Sequence, residues 1–377
     1  MTVVFLISAG LLLHAYVGYP ISLLALRLIF GHRGGHDLGS ELPTVSLVIS
    51  AYNEERILRL KIENSLALDY PAERIERVVV SDGSTDGTEA IAREYEGQGV
   101  RLQAFPSRRG KVSCLNDVIP TLRSELVVMS DANSMYETQS VQCLVRHFSD
   151  PRVGCVCGQL RYLNPSRLPA GEGERVYWGY EGLIKRLESA RGSLLGATGA
   201  IYAYRRRLFR PVDPLMFCDD VIPCRIALDG SLTIYDPDAR CTEEAVDEAA
   251  EMRRRTRHAS FGLRTMLRLG REALADGRPF VLYECVSHRI LRWLGPLVLT
   301  AMLIATPFLG PVWRPAALLA ELVFYGAAAL GGLARALGLK TGPLYLPYYF
   351  LAINLAGLRG LIAFLRRTDR PYWEPRQ

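Results

Sequence analysis

Apolar and polar positions divide the chain into three zones. Residues 3–30 (VVFLISAGLLLHAYVGYPISLLALRLIF) hold no acid, and their only cation, Arg27, comes near the end. A run of that length crosses a ~30 Å hydrocarbon core as a helix. Pro20 predicts a kink, and His14 and the tyrosines need not face lipid. A cleaved signal peptide would have an apolar region about half as long, preceded by a basic stretch, so the segment reads as a retained anchor. The middle zone, about 40–285, mixes charges with short strand patterns. The last zone is apolar again, with candidate spans at 294–309, 315–334 and 344–365 interrupted by Pro311, Arg314, Arg335 and Lys340. One buried core helix is the plain alternative, but three such stretches in succession exceed what one core needs. The expected layout is an anchor over 1–32, a globular domain over 40–265, an amphipathic interfacial region over 266–292, a membrane region of two to three spans over 293–366, and a tail over 367–377.

Within the middle zone, Val45, Leu47 and Ile49 alternate with polar positions, a strand pattern that runs into the polar turn Tyr52-Asn53-Glu54-Glu55 and a helix reaching Leu68. A strand over 75–80 delivers Asp82 at its end. The small-residue turn 83–88 follows, with Asp86 or Ser84 available as N-cap of a helix over 88–95. Then come a strand over 100–105, the loop 106–111, a helix over 112–119 and a strand over 126–129 that delivers Asp131. This alternation predicts an α/β, Rossmann-like, mostly parallel sheet flanked by helices. No G-x-G-x-x-G follows the first strand, which argues against a dinucleotide cofactor. Further on lie a strand over 153–160, an amphipathic helix near 174–187, the small-residue turn 196–200 and a strand over 201–204. A helix over 217–230 follows, with Pro223 expected in its first turn and Gly230 as its stop.

The formal charge of +6 on 377 residues is modest, and no nucleic-acid partner is expected. Cations cluster instead beside the apolar zones: Arg27, His32 and Arg33; Arg289 and Arg292; Arg366, Arg367 and Arg370. By the positive-inside rule the domain is cytoplasmic. Three full spans after it would put the last cluster outside, so 294–309 or 344–365 is expected to be re-entrant or interfacial. The eight cysteines form no C-x-x-C and no zinc spacing, which suits a reduced compartment.

The echo between VVVSDGS and VVMSDANS puts Asp82 and Asp131 where an open α/β sheet binds ligands, beyond the carboxyl ends of its strands. Asp131 with Asn133 can hold a hard divalent cation, or equally close a strand as an Asx turn. Asp219 and Asp220 point about 100° apart on a helix and cannot form one dyad. Position favours Asp219 as the cap and Asp220 as a general base facing the cleft. Lys111 can reach a phosphate or sit on the surface, and Tyr52 can stack on a base or simply pack. The basic run 252–258 leaves Arg253 to Arg255 open between an anionic membrane surface and a pyrophosphate, while Arg257 leans to phosphate.

In order, the chain gives AYNEE, SDGSTDGT, RRGK, SDANS, GATGAIYAYRR, CDDVIPCRIALDG and RRRTRH, bracketed by apolar segments. Over about residues 43–265 this succession resembles the family 2 inverting glycosyltransferases of GT-A fold, the membrane family of cellulose, hyaluronan and poly-N-acetylglucosamine synthases. YYFLAINLAGLRGL also looks like the membrane region of its exopolysaccharide members. The resemblance implies that Ala51, Tyr52 and Glu54 line a nucleotide pocket, Asp82 bonds the uracil edge and Lys111 lies near the donor. It gives Asp131, with Asn133, a Mg2+ or Mn2+ on the donor diphosphate. Thr198, Gly199 and Ala200 would shape the acceptor side, with Asp219 and His258. Asp220 would be the base of the E/D-D motif, and Arg257 the arginine of Q-x-x-R-W. There are departures. Arg254 replaces the Gln of that motif, His258 replaces its Trp, and Asn133 stands where many members have Asp. In polymerising members the Trp stacks on the acceptor sugar, so with His258 the transfer of one or a few sugars is as open as long-chain synthesis. The implied activity is transfer from a UDP-sugar to a glycan or lipid-linked acceptor at a bacterial inner membrane, with polysaccharide-export subunits as possible partners. A polyprenyl-phosphate glycosyltransferase and a non-catalytic membrane subunit are the alternatives.

Overall fold

The computed structural model of the protein describes residues 1–31, 42–163, 171–244 and 248–366; His32, Arg33, Arg367, Arg370 and the tail lie outside the described residues. Eight strands form one sheet: β1 (Val45–Ala51), β2 (Ile75–Ser81), β3 (Val100–Ala104), β4 (Leu126–Asp131), β5 (Met135–Tyr136), β6 (Val153–Leu163), β7 (Tyr202–Arg205) and β8 (Leu232–Glu244). Their order is β3-β2-β1-β4-β7-β6-β8-β5. The first four are mutually parallel, as the alternating pattern predicts. β7 then enters antiparallel between β4 and β6, and β8 runs parallel to β6. The sheet is therefore mixed.

β1, β2 and β4 are apolar on both faces because helices cover both sides. Successive residues alternate between two cores. Leu47, Ile49, Val79 and Val128 enter one, while Val48, Val78, Val80 and Val127 enter the other. The flanking helices are α3 (Glu55–Leu66), α4 (Thr88–Glu94), α5 (Lys111–Val118), α6 (Ser140–Val145), α7 (Gly171–Ala190) and α8 (Cys218–Leu228), following α1 (Thr2–Leu13) and α2 (Tyr19–Phe30) of the N-terminal apolar zone. β8 was not anticipated from its sequence, LTIYDPDARCTEE, because Pro237 cannot donate to a ladder. The sheet accommodates it at an irregularity: pairing passes from Cys157–Tyr235 to Gln159–Arg240, leaving 236–239 out of register.

The strand ends are stitched to one another. Asn53 takes a left-handed φ of 53°, which Asn tolerates, and its Oδ1 accepts the Thr85 N–H at 2.8 Å. The cap position of α4 is Gly87, neither Ser84 nor Asp86. Asp86 instead accepts the N–H of Thr88 at 3.0 Å and that of Glu55 at 3.2 Å, tying the starts of α4 and α3 together. Gly83 has φ 67°, and a Cβ there would stand 2.4 Å from the Ser107 carbonyl carbon. Gly83→Ala is thus expected to cost about 1–3 kcal/mol through backbone strain. A lowered unfolding temperature in detergent would show it.

The apolar zones form helices. α1, a π-helical segment His14–Gly18 and α2 make one rod, Thr2–Phe30, long and apolar enough to span a membrane. Pro20 has no N–H to give the carbonyl four residues back; that carbonyl, of Tyr16, accepts the Tyr180 hydroxyl at 2.8 Å. After the domain come α9 (Glu248–Ala275), α10 (Pro279–Glu284), a second π-helical segment Cys285–Ile290, α11 (Leu291–Trp293), α12 (Gly295–Ala305), α13 (Arg314–Ala336) and α14 (Tyr345–Arg366). α9 runs unbroken through 265, where the sequence suggested a boundary. Arg314–Ala336 and Gly342–Arg366 also have spanning length, and Pro279–Trp293 with Gly295–Phe308 forms a pair bent by 61°. The interrupted segment is therefore 294–309 rather than 344–365. The glycines of the latter serve close packing: a Cβ on Gly360 would meet the Thr256 carbonyl oxygen at 2.5 Å, so α14 lies directly on α9.

A buried polar cluster joins these helices to the domain. The Tyr19 hydroxyl donates to Glu188 at 2.7 Å, and His288 bridges Glu188 at 2.6 Å and Glu181 at 3.2 Å. Arg292 pairs with Glu181 and reaches the Tyr180 hydroxyl at 3.1 Å. Burial alone would raise the Glu181 pKa, but Arg292 and His288 outweigh it and hold the carboxyl well below its usual range.

Candidate active site

α8 starts after Phe217, which occupies the cap position. Asp219 is therefore not the cap. Both acids lie in the first helical turn, where the helix dipole favours negative charge. Pro223 falls one turn later than expected, inside the helix. It leaves the Asp219 carbonyl without a helical donor, and that carbonyl accepts the Ala197 N–H at 2.8 Å. The 196–199 loop is thereby latched to the start of α8. Small residues are required at both ends of the latch: a Cβ on Gly196 would stand 2.2 Å from Asp220 Oδ1, and one on Gly199 would stand 2.4 Å from Asp219 Oδ2.

Asp220 is pushed up to about 6. Burial is the main cause and the Asp219 charge adds to it, while Arg289, Lys185 and His288 pull the other way. Lys185, on α7, donates to Thr198 Oγ1 at 2.6 Å and so holds the loop from its far side. Across the site, Lys111 at the start of α5 pairs with Asp131 Oδ1 at 2.6 Å. Burial alone would lower the Lys111 pKa; Asp131 and Asp219 more than offset it and keep the ammonium charged.

Lys111, Asp131, Thr198, Gly199, Asp219 and Asp220 line one cavity of 1150 Å³. Its wall continues through Ala200, Arg257 and His258 into the apolar helices. The His258 ring stacks on Phe217, centroids 4.7 Å apart and planes at 25°. Burial, together with Arg257, Arg254, Arg289 and Arg255, pushes its pKa well below the usual imidazole value, so it is neutral. Arg254 and Arg255 pair with Glu251 at 2.7 and 2.8 Å and donate to the hydroxyls of Tyr162 and Tyr349. These two arginines line the cavity.

The other expected residues lie at neighbouring strand ends, off this cavity's wall. The Arg108 guanidinium covers the Tyr52 ring at 3.9 Å. Asp82 accepts the N–H groups of Arg109 at 2.6 Å and Gly110 at 2.9 Å, and the Cys114 thiol at 3.2 Å, so this carboxylate seats the 106–110 loop on the end of β2. Ala51 closes β1, and Glu54 is the cap position of α3. Asn133 is also off the wall, with its amide Nδ2 buried and without an acceptor among the described residues. The described residues contain no group of three His, Cys, Asp or Glu side chains able to hold a metal. Asp131 nevertheless fits a divalent cation that draws its remaining oxygens from a diphosphate and water, the usual habit of Mg2+. Lys185, Arg289 and Phe217 were not anticipated as site residues; a lone lysine or arginine in an amphipathic stretch carries no local signal.

A mixed sheet whose parallel strands end in acids, with an acid-bearing helix beside them, is the GT-A arrangement. Residues 46–212 match the family Glycosyl transferase family 2. A probable glycosyltransferase of Bacillus subtilis, YdaM, is 31% identical over 133 residues, which are 34% of this chain and 32% of that protein. A beta-monoglucosyldiacylglycerol synthase of Nostoc sp. is 30% identical over 124 residues, 32% of this chain and 26% of that one. The chain thus spans about a third or less of the length of these curated relatives. The solved mannosyltransferase PcManGT of Pyrobaculum calidifontis, in complex with GDP-Man and Mn2+, superposes with TM-score 0.73 at 23% identity, over 97% of this chain and 100% of that one. The shared fold therefore includes the apolar helices as well as the sheet.

Proposed function

We propose that the protein is a membrane-bound inverting glycosyltransferase that moves a hexosyl group from a nucleotide sugar, a UDP-sugar by the motif resemblance, to a hydroxyl of a lipid-linked or glycan acceptor. The observation that carries this reading is the single cavity in which Asp220, raised to about 6, shares space with the Lys111–Asp131 pair. Tyr52 and Asp82 mark the base end of the donor, and Arg257 and Lys111 its diphosphate. A divalent cation at Asp131 would supply Lewis-acid neutralisation of the leaving diphosphate. Asp220 takes the proton of the acceptor hydroxyl as that oxygen attacks the anomeric carbon. The bond from that carbon to the diphosphate breaks, and a nucleoside diphosphate leaves. One base and no enzyme nucleophile give inversion. A phosphate acceptor needs no base, so a carboxyl poised near neutrality favours a hydroxyl. The positive flanks support a cytoplasmic domain on a bacterial inner membrane, and His258, seated on Phe217, supports transfer of one or a few sugars.

Membranes or purified full-length protein supplied with a panel of UDP- and GDP-sugars should release a nucleoside diphosphate from one donor class. Chelation should lower that release about tenfold or more, with recovery on adding Mg2+ or Mn2+. Silence toward every donor would overturn the reading, and release untouched by chelation would remove the metal from it.

A further inference from the structure

Besides its acids, the cavity has an apolar stretch of wall. There Val323, Phe324 and Ala327 of α13 face Leu346, Phe350 and Ile353 of α14. Two of these wall residues also lie on the outer surface, Val323 at 62% exposure and Leu346 at 51%. The cavity therefore opens between α13 and α14 on the face where Leu319, Leu322 and Leu330 point outward. Beside the opening the helices touch: a Cβ on Gly331 would meet the Leu344 carbonyl oxygen at 2.5 Å. The opening is thus a bounded slot, and its outer rim is as apolar as a bilayer interior. A sugar chain would lose its hydrogen bonds to water against such walls. An alkyl chain strengthens its binding about threefold to fourfold for each methylene it removes from water.

We propose that this slot holds the apolar chain of the acceptor, which reaches the acids sideways from the bilayer. The acceptor class is then a membrane lipid with a hydroxyl headgroup. This rests on the transferase reading above and sharpens it. The lipid oxygen bonds to the anomeric carbon, its proton passes to Asp220, and the nucleoside diphosphate departs. His258 and Arg289 line the same cavity and are the polar groups offered to the headgroup.

The test places the full-length protein in nanodiscs with dodecyl glucoside carrying a diazirine on its terminal carbon. Photolysis should label segments 320–327 and 346–353 above the outward-facing Leu319, Leu322 and Leu330. Ala327→Trp fills the slot and excludes several methylenes, so slot labelling should fall about tenfold while outer labelling stays constant. Val323→Trp, at the mouth, gives the same result should the first variant fold poorly. Slot labelling equal to the outer face, or unmoved by both tryptophans, overturns the proposal. The two readings fail separately. If Asp220→Asn still transfers sugar, the base assignment falls while the labelling stands. If a soluble glycoside is glycosylated but the slot stays unlabelled, the chain site falls alone.

Discussion

Asp220→Asn is expected to lower sugar transfer by about 10²–10⁴-fold, the usual contribution of a positioned general base, with donor affinity changed little. The carboxyl is raised from 3.8 to about 6, so the wild-type kcat/KM should fall as pH drops through about 6 rather than near 4. The stability sign runs opposite to that of an ordinary salt-bridged acid. Between its unfolded and folded pKa the native state holds a proton that the unfolded chain has released, so this group's contribution to stability declines as pH rises across that window. The asparagine variant should therefore unfold at no lower temperature than wild type at neutral pH, while losing nearly all turnover. A variant equally inactive but clearly less stable would point to a structural acid instead. An acid limb that stays near 4 would place the base elsewhere.

Gly196→Ala is the second large effect. The added Cβ would lie 2.2 Å from Asp220 Oδ1 and 3.5 Å from an Arg289 guanidinium nitrogen. A carboxylate can turn away from a methyl group, so folding should survive at a cost of about 1–3 kcal/mol, as for an overpacked site. The turned carboxylate is no longer aimed at the acceptor, and a displacement of about 1 Å at a catalytic group can cost 10²-fold. Donor binding, governed by residues at the strand ends, should hold. Full activity in Gly196→Ala would show that the Asp220 rotamer does not matter to catalysis.

The parallel half of the sheet was legible because each strand ends where its chemistry begins. VVVSDGS and VVMSDANS carry a two-sided apolar run straight into a polar turn, and both acids lie at the ends of β2 and β4. The second half was harder to read. β8 hides behind Pro237 and its acids, which a sheet admits only opposite an irregular partner, and the partner's irregularity is invisible in β8 itself. The cap of α8 was misplaced by two residues for a similar reason. Phe217 becomes the cap position with its N–H donated to Thr265 Oγ1 at 3.2 Å and its ring under His258, both from a helix some forty residues further on. Asp220 was found because it stands in a motif. Lys185 and Arg289 were not, because their roles exist only once α7 and the second π-helical segment converge on one loop.

Two prolines inside helices, Pro20 and Pro223, have a mechanical consequence. Each withholds one N–H from its helix, and a carbonyl beside each break accepts from another element: Tyr16 from the Tyr180 hydroxyl, Asp219 from the Ala197 N–H. Tyr180 and Lys185 share α7, and Lys185 grips the loop that Ala197 belongs to. A line of hydrogen bonds thus runs from the anchoring rod, through one helix and one loop, to the base. The rod cannot tilt in its bilayer without either pulling α7 along or giving up the Tyr180 bond. Were the rod seated in a bilayer, the thickness that sets its tilt would pull on α7 through that bond.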